Sequence, residues 1–151
     1  MSIRIDKEKL VKALAIVEDF KTALMETLAP IRESTTLAFE GVLSPSEVRE
    51  LDPVHSPSKH SALIVVVRAI YGDSPQAGVR ARWLYSPDGY HFDSVEDAED
   101  EGNFVDVSHG PLVGRQKTAV VPLLTEYVKV QIVNLDTQNF VTVRVWTTLL
   151  R

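Results

Sequence analysis

The chain has 151 residues, 44% hydrophobic and 25% charged, with a net charge of −5. That length suits one domain with a single core, and the composition excludes a disordered or collagen-like chain. The absence of cysteine excludes disulfides, thiolate nucleophiles and zinc–thiolate sites.

The longest uncharged apolar run is Ala62–Val67, far short of the about 20 residues that a membrane helix needs. The N-terminal stretch turns charged at once, at Arg4, Asp6, Lys7, Glu8 and Lys9, unlike a secretory signal. The expectation is a cytoplasmic or virion-associated protein with no membrane partner. Eight of the 21 acids lie in residues 88–106, which hold no Lys or Arg. A nucleic-acid binder needs a cationic face to displace counterions, so no nucleic-acid partner is expected.

Residues 6–28 read as one amphipathic helix. Asp6 can cap it, and Pro30 stops it soon after Leu28. Leu10, Ala13, Leu14, Val17, Phe20, Leu24, Met25 and Leu28 share one arc of the helical wheel. Val11 and Ile16 fall outside that arc, one on each side, and Lys21 falls inside it. One reading packs the helix on its own sheet, with Lys21 snorkelling outward. The other gives Val11 and Ile16 a partner subunit.

After Pro30 the pattern turns to β. Residues 35–42 alternate, whereas 43–60 hold three prolines and read as a long loop. Residues 61–71 are apolar on both faces, which marks a strand covered on both sides or lying at an interface. Arg68 is the exception, on the face of Ile64, Val66 and Ile70. Residues 78–86 alternate, with Val79, Ala81, Trp83 and Tyr85 on one face. Ser86-Pro87-Asp88-Gly89 is a turn signal, and Tyr90–Phe92 is expected to begin a return strand. Ser94 is expected to cap a short helical turn that ends at Gly102. Residues 103–107 and 116–123 are further strand candidates. Residues 126–134 and 140–149 alternate strongly around a turn at Leu135–Asn139 and are expected to form a hairpin.

The fold expected is mainly β: an antiparallel, jelly-roll-like β-sandwich over 31–151, preceded by an N-terminal helical appendage over 1–30.

Several residue groups are candidate sites. Asp93, Asp97 and Asp100 could serve a calcium ion at a sandwich edge, since calcium takes six to eight oxygens. An EF-hand is excluded because Ser108 stands where the bidentate Glu is required. The four histidines show no zinc spacing. Trp83, Tyr85 and Tyr90 could form a platform for a carbohydrate ring, although the first two share a face with Val79 and Ala81 and so also read as core. Trp146, beside Arg144 on the polar-looking face of the last strand, is a candidate for a subunit contact, where Trp and Arg are enriched. Ser86–Phe92 resembles the Asp-box hairpin of sialidase-like propellers, S-x-D-x-G-x-x-W, but Gly89 follows Asp88 directly and Phe92 comes one residue early. The likeness spans seven residues, occurs once, and reads as turn chemistry.

No P-loop, nucleophile elbow or dinucleotide fingerprint is present. The leading expectation is therefore a non-catalytic structural module that forms a homo-oligomer without a cofactor. A carbohydrate- or small-ligand-binding sandwich, with or without calcium, is the alternative, and a small hydrolase the third.

Overall fold

The structure, a computed structural model, describes residues 6–28, 33–57 and 60–151, apart from the side chains of 22–28. The chain divides into two units, residues 1–31 and 32–151.

The first unit holds helix α1, Lys7–Leu28. Asp6 caps it as its sequence position requires. Its Oδ1 accepts from the N–H groups of Glu8 at 3.1 Å and Lys9 at 3.3 Å. That satisfies donors which have no partner within the first turn. Leu10, Val11, Leu14, Ile16, Val17 and Phe20 are all exposed. Pro30, the expected stop signal, lies outside the described residues.

The second unit is an antiparallel sandwich. Its elements are β1 (Thr36–Leu43), β2 (Val48–Glu50), β3 (Val54–His55), β4 (Ala62–Tyr71), β5 (Val79–Ser86), α2 (Val95–Asp100), β6 (Phe104–Val107), β7 (Gly114–Pro122), β8 (Tyr127–Asn134) and β9 (Val141–Leu150). One sheet runs β1-β9-β4-β7. The other runs β2-β8-β5-β6, with β3 also paired to β8. Apart from β2–β3 and β5–β6, each successive strand joins the opposite sheet, which is the winding of a jelly roll.

Period-two alternation builds the core. The inward residues include Leu63, Val65 and Val67 from β4, Ala81 and Trp83 from β5, Val130 and Ile132 from β8, and Val143 and Val145 from β9. Two tyrosines tie the layers together in opposite directions. Tyr71 of β4 donates its hydroxyl to the Val107 carbonyl, and Tyr85 of β5 donates to the Pro122 carbonyl. Burial pushes the Tyr71 phenol up to about 12, so it stays a donor across the physiological range.

Three local expectations change. The 43–60 segment is not a bare loop, because β2 and β3 both pair with β8. Tyr90–Phe92 forms no strand. Asp88 instead accepts from the N–H groups of Tyr90 and His91, each at 2.8 Å, and folds the segment into a side-chain-bonded turn. Nor do β8 and β9 form a hairpin: β8 pairs with β5 and β2, while β9 pairs with β1 and β4. The connection arches between the sheets because Asp136 is anchored beneath it. Asp136 accepts from the N–H groups of Gln76 at 2.7 Å, Gln138 at 2.8 Å and Asn139 at 3.0 Å.

The short helix stands as expected. Ser94 caps α2 by accepting from the Asp97 N–H, and Gly102 follows with φ +76°.

Candidate functional site

The outer faces of the two sheets are built from opposite chemistry. On the β2-β8-β5-β6 sheet, Arg80 holds Asp106 at 2.7 Å and Glu99 at 3.2 Å. Arg82 reaches the same Glu99 at 3.1 Å and donates to Gln131 at 2.7 Å. Gln131 donates to Glu50 at 2.9 Å, and Lys129 pairs with Glu50 at 3.0 Å. Arg80 also lies over the Phe104 ring, and Lys129 over Phe92. This face satisfies its own charges. It also absorbs Glu99 and Asp106 from the acidic 88–106 segment.

The β1-β9-β4-β7 sheet does the reverse. Its register sets outer residues side by side in rows across the strands. Val120, Ile64 and Thr148 form one row; Thr118, Val66, Trp146 and Leu37 form the next. A polar row follows, of Gln116, Arg68, Arg144 and Glu40, and then Ile70, Thr142 and Val42. Leu37, Val42, Ile70 and Val120 are exposed, between 46% and 61%. Ile64, Val66 and Trp146 between them are partly covered by their neighbours. This is a continuous apolar surface crossed by one charged stripe. Within the stripe Arg144 pairs with Glu40 at 2.8 Å. Arg68 makes no ion pair among the described residues.

The two-faced apolarity of β4 therefore has a concrete form: one face is core, and the other is this surface. Trp146 and Arg144 sit together on it. Reading each strand alone left Ile64, Val66, Leu37, Val42 and Val120 unassigned to a site. They join only through cross-strand register, which alternation within a strand does not encode. Val11 and Ile16, the other expected interface residues, are exposed on α1.

The ligand platform does not assemble. Trp83 and Tyr85 are each 7% exposed and belong to the core, because they share the inward face of β5 with Val79 and Ala81. Tyr90, on the turn, is 87% exposed and stands apart from them. The calcium candidates do not converge either. Asp93, Asp97 and Asp100 are exposed, and among the described residues no three His, Asp or Glu side chains gather to hold a metal ion. Asp97 and Asp100 lie in the first and last turns of α2, while Asp93 precedes it and faces the Tyr85 N–H.

Three of the histidines have local partners. His55 stacks on Tyr127 with ring centroids 4.3 Å apart. His91 meets Asp88 at 2.6 Å, and His60 bridges Ser56 Oγ at 2.9 Å and Glu33 at 2.7 Å. Glu33 faces Nε2 of the ring and the Ser56 hydroxyl faces Nδ1. With Ser56 only 4% exposed, the three side chains form a partly buried polar link.

Among the described residues, no helix is long and apolar enough to cross a membrane. No family profile matches the chain, and no curated protein matches it in sequence. Its similarities are to solved structures. The PBSX exported protein XepA superposes with a TM-score of 0.51 at 12% identity, over 77% of this chain and 36% of that one. The Gt strain structure of infectious bursal disease virus gives a TM-score of 0.50 at 11% identity, over 82% and 32%. A carbohydrate-binding module of Cellvibrio mixtus lichenase 5A, in complex with cellotriose, gives 0.40 at 10% identity, over 80% and 95%. The chain thus spans about a third of the length of the first two. At these identities the likeness is one of fold, a β-sandwich.

Proposed function

We propose that this chain is a non-catalytic structural module that assembles with copies of itself. One observation carries the reading: the outer face of the β1-β9-β4-β7 sheet is apolar around Trp146, while the opposite outer face closes its own charges. A sheet face meant for water has no use for Leu37, Ile64, Val66, Ile70 and Val120 in register. Large contiguous apolar patches rimmed by polar residues mark contact surfaces, whereas single exposed apolar residues do not. An aromatic centre beside an arginine is the composition of an interface core.

The exposed apolar residues of α1 supply a second sticky surface in the other unit. Copies of the chain thus have more than one surface through which to associate. Symmetric self-association is the usual outcome for such surfaces.

Light scattering on the full chain across the micromolar range tests the reading. The expected result is a mass that rises with concentration toward a whole-number multiple of the chain mass. A monomer at every concentration would overturn it.

A further inference from the structure

We infer that two copies pack face to face through the β1-β9-β4-β7 sheets about a two-fold axis running along β9. This inference rests on the self-assembly reading and adds the surface, the register and the residues that choose them.

Among axes parallel to the strands that overlap at least three of them, the charged stripe selects one. Its order across the sheet is Gln116, Arg68, Arg144, Glu40. Arg144 is already held by Glu40 at 2.8 Å, and Arg68 has no ion pair among the described residues. An axis between β4 and β9 would lay Arg68 on Arg144 of the second copy. An axis along β4 would lay Arg68 on its own mate. Like charges opposed in this way are penalised. An axis along β9 lays β4 over β1 of the second copy. Arg68 then meets Glu40 of the second copy, and the symmetry makes the same pair twice. Arg144 meets its own mate on the axis, with each guanidinium accompanied by its own Glu40.

The apolar rows agree with that register. Val66 comes over Leu37 of the second copy, Ile70 over Val42, and Trp146 over its own mate at the centre. Trp146 meets its mate on the axis beside the row of charge pairs, an aromatic centre of the kind that carries binding energy. Three strands overlap, and β7 stays at the rim. At about 4.8 Å between strands and 3.3 Å per residue, three overlapping strands of eight to ten residues cover roughly 800–950 Å² in all, the size of a weak, reversible interface. A dissociation constant in the micromolar range is expected.

The test uses two full-length variants, Arg68→Glu and Glu40→Arg, each checked for folding by circular dichroism and thermal unfolding. In either homodimer the predicted pair becomes like-charged, twice over. Mixing the two variants restores opposite charge at both pairs. The expected result is that each variant alone binds itself more than ~10-fold more weakly than wild type, while the equimolar mixture recovers the dimer. If each variant keeps the wild-type mass, the β9 register is wrong while self-assembly stands. If both variants dissociate and the mixture does not recover, the register is likewise wrong. A monomeric wild type would overturn the assembly reading together with this one.

Discussion

Asp136 shows how much of this fold rests on single polar residues that carry no hydrophobic signal. It is 2% exposed and accepts from three backbone N–H groups of two different loops. Burial alone would raise its pKa. The N–H groups of Gln76 and Gln138, with Asn139, outweigh that and hold the carboxyl well below the usual carboxylate range. The unfolded chain therefore takes up a proton near pH 4 that the folded chain refuses, so this contribution is complete above about pH 4 and is lost as pH falls below it. Urea midpoints measured from pH 6 down to pH 2 should fall steeply below pH 4 in wild type and less steeply in Asp136→Asn. Asp136→Ala strands buried donors and should cost about 3 kcal/mol at pH 7. Gly78 is a second residue on which the fold rests without a hydrophobic signal. A Cβ there would run into the Val107 carbonyl oxygen, the same atom that accepts from Tyr71. Gly78→Ala should therefore push β6 from the start of β5 and lower the unfolding temperature by several degrees, on the order of 2 kcal/mol. Neither role is legible in a single sequence, because each depends on an atom distant along the chain.

At the scale of elements, alternation within a strand was readable and pairing between strands was not. The bounds of β1, β5, β8 and β9 follow from period-two patterns that the residues carry themselves, and those of β4 from a run apolar on both faces. Ser94 capping α2 was equally readable, because the capping bond spans three residues. The hairpin expected of β8 and β9 failed for a specific reason: Leu135–Asn139 has the composition of a turn, but Asp136 and the Asn134 amide bind it to loops from elsewhere in the chain. Asn134 donates to the Ser44 carbonyl at 3.0 Å and to the Asn139 carbonyl at 2.8 Å. The chain is thereby bent across the sandwich instead of back along one sheet. Trp83 and Tyr85 failed as a platform because the parity of β5 points them inward. Strand β4 offers the sharpest check on parity. Leu63, 1% exposed and inward, should cost about 3 kcal/mol on truncation to Ala, whereas the neighbouring outward Ile64→Ala should cost under about 1 kcal/mol in the monomer. Denaturant unfolding of the two variants compares them directly.

For the whole molecule, the asymmetry between the two outer faces is the feature that a function must explain. One sheet spends Arg80, Arg82 and Lys129 on its own acids. The other carries apolar rows and leaves Arg68 without an ion pair among the described residues. The sequence signalled this only through β4, whose run of apolar residues on both faces asks for cover on both sides. Its inner cover is the opposite sheet. Its outer cover, on this account, is a second copy of the chain. The measurement closest to that claim is the solution mass of Val66→Asp beside wild type, at the same micromolar concentration and with thermal unfolding recorded for both. Val66 points away from the core, so the variant is expected to fold with near wild-type unfolding and to be monomeric at a concentration where wild type is dimeric. A Val66→Asp chain that is folded and keeps the wild-type oligomeric mass would contradict it.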